Sequence, residues 1–212
     1  NQLSSLRVLT LEFIEGDAAD ELEDKGYSQT QINQLGNNLF DMLSAQLFDF
    51  QCIHGDPHPG NFAFRKDGSV IIYDFGCVKK LKPEIVQAYR DAIVASISED
   101  YEAVDSALLK LGARVVGQAS PGKEFYKIWR DIIFVPFLIG ELFDFADADL
   151  HISSAKHTPL FFKHLHRFKP PVESLYIDRL VSGHYWILKS MGVQAAFKLP
   201  LAAYIYSDRY TQ

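Results

Sequence analysis

With 212 residues, 48% of them hydrophobic and 23% charged, the chain is long and apolar enough to bury a substantial core, and one domain is expected rather than disorder. A formal net charge of -6 removes the basic face that phosphate backbones require, so nucleic acid is excluded as the main partner. Cys52 and Cys77 are too few for a disulfide framework and suit a reducing compartment. The closest approach to a spanning segment, residues 132–140, is too short to cross a bilayer and contains Pro136, so a soluble intracellular domain is expected.

Residues 7–14 (RVLTLEFI) are β-branched and apolar enough for a buried strand, which Glu15-Gly16-Asp17 ends. Ser28 reads as the N-cap of a helix running to about Phe50, with Ile32, Leu35, Leu39, Leu43 and Leu47 along one face. The polar, glycine- and proline-rich residues 54–61 predict a loop. Residues 62–65 and 70–73 flank Lys66-Asp67-Gly68-Ser69 as a small hairpin. From Pro83 the period turns helical through Ile85, Tyr89, Ala92, Ile93 and Ile97. A second helix is expected over 101–111 with Gly112 as its C-cap, and others over 123–134, 158–167, 174–191 and 199–207. The order is strand, helix, loop, small hairpin, then nothing but helices.

Two short stretches carry chemistry: His54-Gly55-Asp56-Pro57-His58-Pro59-Gly60-Asn61 and Asp74-Phe75-Gly76. Phosphoryl transfer from ATP asks little covalent help of a protein. It needs a divalent metal on the phosphates, hard oxygen ligands for that metal, and a carboxylate near the attacking hydroxyl or water. Asp56 stands five residues before Asn61, the spacing of a protein-kinase catalytic loop in which the Asp orients the nucleophile and the Asn binds metal. Asp74 leads an Asp-Phe-Gly and would be the principal metal ligand, and His54 stands where such a loop carries a histidine that props the backbone. A lone Asp-Phe-Gly is weak evidence. The two motifs one hairpin apart, behind a long amphipathic helix, are strong evidence.

HGDPHPGNF followed by IIYDFG resembles the UbiB (AarF-type) atypical kinase-like family, associated with coenzyme Q biosynthesis, whose loop reads HGDxHPGN. Aminoglycoside and choline kinases share the HGDxxxxN skeleton, but the internal HPG favours UbiB. LTLEFIEGD at residues 9–17 is similar to the family's hinge, and YIDRLVSGHYWILKSMGV at 176–193 to a late helix that follows an arginine. The resemblance implies a mainly helical kinase-like C-terminal lobe with a small β hairpin at the nucleotide site. Residues 1–17 would be hinge strand and linker, 18–76 the catalytic core and 77–212 a helical subdomain.

The resemblance further implies ATP and magnesium as cofactors. Asp56 would be the catalytic base with His54 behind it, and Asn61 and Asp74 the metal ligands. Backbone groups at Glu12 and Ile14 would read the adenine, with Leu11 lining its pocket. The implied activity is that of an atypical kinase or ATPase supporting ubiquinone or prenyl-lipid metabolism. Its acceptor would be a prenyl-lipid or small molecule, and its location cytoplasmic, with peripheral contact at the inner membrane. A nucleotide-binding pseudokinase scaffold and a small-molecule kinase are the alternatives. The family's N-terminal lobe carries a KxGQ segment and a Lys–Glu pair on the phosphates. Neither is found before Leu9, so the lobe is expected to be missing and the chain inactive without it. The short run from Cys77 to Lys82 leaves no platform for an extended peptide substrate.

His58 could contact phosphate or shape the loop. The histidines at 151, 157, 164 and 166 match no metal-site spacing. The aromatic stretch from Phe125 to Phe145 reads mostly as core.

Overall fold

The computed structural model of the chain describes residues 3–138 and 140–206. Helix α1 (Gln29–Ser44) begins on a capping box: the Ser28 hydroxyl accepts from the Gln31 N–H, and the Gln31 side chain accepts from the Ser28 N–H. Its buried face carries Ile32, Leu35 and Leu39, and it runs on into a π-helical turn, Ala45–Asp49. Strand β1 (Cys52–His54) follows, then a 3-10 turn (Pro59–Asn61) and the hairpin of β2 (Phe62–Phe64) and β3 (Val70–Ile72).

The helical region comprises α2 (Pro83–Ile97), with Pro83 in its first turn, α3 (Tyr101–Leu111), capped by Gly112, and α4 (Lys123–Ile133). Two short helices, α5 (Val135–Leu138) and α6 (Leu150–Lys156), precede α7 (Thr158–His164), α8 (Val172–Met191) and α9 (Lys198–Ile205). The main core joins α1 to α8 and α9 through Leu35, Leu39, Phe48, Leu180, Ile187 and Phe197. A second cluster around Tyr101, Val104, Phe125 and Tyr126 ties α3 to α4. Phe125 and Phe145 are buried, in keeping with a core role for that aromatic stretch.

Two expectations fail. The strand over residues 7–14 is absent: Leu9, Leu11 and Phe13 are exposed, and that stretch has only an isolated bridge between Ser5 and Val8. A strand needs a neighbouring backbone for its N–H and C=O groups, whereas the bonds at this stretch run to side chains, the Thr10 N–H to the Ser4 hydroxyl and the Ile14 carbonyl to the Tyr73 hydroxyl. The chain after the hairpin is also not purely helical. Strand β4 (Val78–Lys80) pairs antiparallel with β1, and β5 (Phe143–Asp144) with β6 (Gln194–Ala195). Strands of two or three residues leave no period to read. Ser207, the expected end of α9, lies outside the described residues.

Candidate functional site

Strand β1 delivers His54 into the core, where its backbone N–H donates to Gln46 Oε1 of the π-helical turn at 2.6 Å. The Asp56 N–H donates to His54 Nδ1 at 3.3 Å, so Nδ1 is the bare nitrogen. Nε2 then carries the proton and donates to the Asp74 carbonyl at 2.5 Å. The rings of Phe62 and Phe75 stand against this imidazole at 5.8 and 6.3 Å. One ring thus braces both motifs, 20 residues apart in sequence.

Gly55 lets two elements close on the loop. Its N–H donates to the Cys77 carbonyl at 2.6 Å, and a Cβ there would stand 2.9 Å from Cys77 Sγ and 3.0 Å from Tyr176 Cδ1. Downstream, the His58 ring accepts from the Gly60 N–H at 3.1 Å and caps the 3-10 turn, a loop-shaping role. The turn presents Asn61, whose Nδ2 donates to the Asp56 carbonyl at 3.0 Å. That bond leaves Asn61 Oδ1 with no protein donor among the described residues.

The Asn61 carbonyl accepts from the Tyr73 N–H at 2.9 Å, which extends the β2–β3 ladder to the residue before Asp74. Asp74 Oδ1 accepts from the Gly76 N–H at 2.7 Å, so the Asp-Phe-Gly closes on itself and the carboxylate stays exposed. The structure therefore brings His54, Asp56, Asn61 and Asp74 together on hairpin and loop.

The hinge residues divide. Glu12 and Ile14 line an open cleft of about 710 Å³ with Glu15, Tyr27, Arg65 and Tyr73. Leu11 is 61% exposed and outside that lining. The cleft reaches the Asp-Phe-Gly through Tyr73, whose hydroxyl donates to the Ile14 carbonyl at 3.2 Å. Of the backbone groups expected to read adenine at Glu12 and Ile14, the Ile14 carbonyl is thus already engaged. Its neighbourhood is pinned by Arg65 Nε donating to the Glu15 carbonyl at 2.7 Å and by the Tyr27 hydroxyl donating to Asp17. Burial, then the Asp17 carboxylate, pushes the Tyr27 hydroxyl above its usual range.

Arg179 of α8 is the site residue that sequence reasoning missed. Its Nη2 donates to Asp56 Oδ1 at 2.6 Å across 123 residues, a separation at which no local pattern could reveal the pair.

Among the described residues no group of three or more His, Cys, Asp or Glu gathers to hold a metal. The oxygens on hand are the Asp74 carboxylate and the Asn61 amide, one charged and one neutral. That donor set fits magnesium, which takes one or two protein ligands and completes its shell with phosphates and water.

The ABC1 atypical kinase-like domain model matches residues 1–108, which take in the 54–61 loop and the Asp-Phe-Gly and reach into α3. The chain belongs to the ABC1 family.

The chloroplastic Activity of BC1 Complex Kinase 1 of Arabidopsis thaliana is 33% identical over 109 residues, covering 50% of this chain and 16% of that protein. A chloroplastic aarF domain-containing protein kinase of the same plant is 26% identical over 216 residues, 99% of this chain and 37% of that one. The chain thus spans well under half the length of these relatives. A solved complex of Rv3197 with erythromycin from Mycobacterium tuberculosis superposes with a TM-score of 0.68 at 20% identity, covering 92% of this chain and 48% of that one. The mainly helical, kinase-like fold of the ABC1 family is therefore shared. No described helix is long and apolar enough to cross a membrane.

Proposed function

We propose that this ABC1 domain is part of a Mg–ATP-dependent phosphotransferase or ATPase acting on water or a small or lipid-linked acceptor. The observation that carries the reading is the His54 ring, which ties the Asp56 amide to the Asp74 carbonyl and so joins the loop bearing Asp56 and Asn61 to the Asp-Phe-Gly. Asp74 and the Asn61 amide oxygen would hold the magnesium, which when bound neutralises charge on the phosphates. Asp56 orients the acceptor. As the acceptor oxygen bonds to the γ-phosphorus and the bond to ADP breaks, the acceptor proton passes to Asp56 Oδ2, which has no protein donor among the described residues. The chain after Asp-Phe-Gly turns directly into β4 and pairs with β1, which favours a small acceptor over an extended peptide.

The test is Mg–ATP turnover in the intact protein, since the relatives extend well beyond the matched segment. Slow hydrolysis in the parent, lost in Asp56→Asn, with no labelling of casein, is the expected result. Efficient casein labelling that disappears in Asp56→Asn would overturn the small-acceptor reading.

A further inference from the structure

Helix α8 follows the catalytic loop residue by residue. Tyr176 packs where a Cβ of Gly55 would be, the Arg179 guanidinium bonds the Asp56 carboxylate, and Gly183 admits Pro57 so closely that a Cβ would stand 2.3 Å from Pro57 Cγ. Positions 176, 179 and 183 are spaced three and four apart, so they form one stripe of the helix surface. Three consecutive loop residues thus meet three consecutive members of that stripe. Lys79 of β4 lies over the ring of the first of them, Tyr176, at 5.6 Å.

Within this register only the Arg179 contact reaches a reacting group. Both partners keep substantial exposure, 59% of the Arg179 side chain and 37% of the Asp56 side chain, so the pair adds little to stability. It does fix a geometry. One guanidinium nitrogen takes Oδ1, the carboxylate plane is held, and Oδ2 is left for the acceptor. We infer that Arg179 is a positioning residue for Asp56: it sets the carboxylate rotamer in which the acceptor is aligned for transfer. The inference rests on the proposed role of Asp56 and adds to it the residue that aims that carboxylate.

A displacement of the reacting groups by about an ångström costs up to a hundredfold in rate. In the intact protein, Arg179→Gln is expected to lower kcat for Mg–ATP about tenfold or more. Mg–ATP affinity should stay within about twofold and the melting temperature should be unchanged, because Arg179 touches neither the metal donors nor the core. Arg179→Lys, which keeps the charge, should recover part of kcat. The double variant Asp56→Asn/Arg179→Gln should be no slower than Asp56→Asn, since Arg179 acts only through that carboxylate.

Parental kcat in Arg179→Gln, with Asp56→Asn inactive, overturns the role of Arg179 and leaves that of Asp56 standing. A higher kcat in Arg179→Gln overturns it in favour of a blocking contact. Turnover retained in Asp56→Asn, or no turnover in the parent, overturns the reading of the site and this inference with it.

Discussion

Gly183 of α8 and Pro57 of the 54–61 loop are in close contact: a Cβ on Gly183 would lie 2.3 Å from Pro57 Cγ and 2.6 Å from the Pro57 carbonyl oxygen. Neither neighbour can give way, because the proline ring is rigid and the carbonyl belongs to the loop itself. Gly183→Ala must push α8 off the loop. Overpacking of this kind costs roughly 1–3 kcal/mol. Denaturant unfolding of parent and variant should show that loss together with reduced Mg–ATP turnover. A variant as stable and active as the parent would mean that the helix and loop are not so apposed.

Much of the fold was legible where the determinants are local. Ser28 announces the start of α1, and Pro83 and Gly112 mark the ends of their helices by backbone chemistry alone. The site was legible to the extent that the loop and Asp-Phe-Gly carry it. What escaped was long-range. Arg179 is an ordinary exposed helical arginine until the fold brings Asp56 to it, and Gly183 reads as a helix-weakening residue until Pro57 is seen beside it. Residues 7–14 mislead for the opposite reason: their composition suits a strand, but strand formation depends on a partner that composition does not supply.

Asp74 would contribute the one full charge of the proposed metal donors, whereas Asn61 would contribute a neutral carbonyl oxygen. In the intact protein, Asp74→Asn should abolish most of the magnesium-dependent gain in ATP affinity, and Asn61→Ala should weaken it partly. Asp56→Asn should leave binding largely intact while removing hydrolysis. ATP titrations with and without magnesium decide the matter. An Asp74→Asn protein that binds Mg–ATP as tightly as the parent would remove the chemical support for the assignment.

Arg114 is buried between α3 and the chain leading into α8. Its Nε donates to Asp105 at 2.8 Å, Nη1 to the Arg167 carbonyl at 2.6 Å, and Nη2 to the Ala119 carbonyl at 2.9 Å. The Tyr126 hydroxyl donates to the same Asp105 carboxylate, and these donors hold that carboxyl below its usual range against the burial that raises it. Arg114→Met keeps the volume but takes the cation from Asp105, which keeps only the Tyr126 hydroxyl, and leaves the Ala119 carbonyl without its donor. Removing one partner of a buried pair costs about 3–5 kcal/mol. Urea unfolding should show a loss of that order, and a change below about 1 kcal/mol would mean that the network holds little together.

His184, fully buried on α8, provides a pH signature. Its Nδ1 faces the Leu180 carbonyl at 2.8 Å, and since a carbonyl only accepts, Nδ1 carries the proton and Nε2 is bare, without a partner among the described residues. Burial lowers its pKa from 6.5 to about 4, while the Leu180 carbonyl works the other way. Below pH 6.5 the unfolded chain therefore binds a proton that the folded chain refuses. The stability is fully present above about 6.5 and is lost as pH falls toward about 4. At 1.36 kcal/mol per unit the loss is about 3 kcal/mol. His184→Met cannot take the proton in either state. The parent's unfolding free energy should fall more steeply than the variant's between these limits, the carboxylates cancelling because both proteins share them. His164, lowered in the same direction by burial and by Arg167, leaves the variant some slope of its own. Parallel curves for parent and variant would show that His184 is protonated as readily in the folded chain as in the unfolded one.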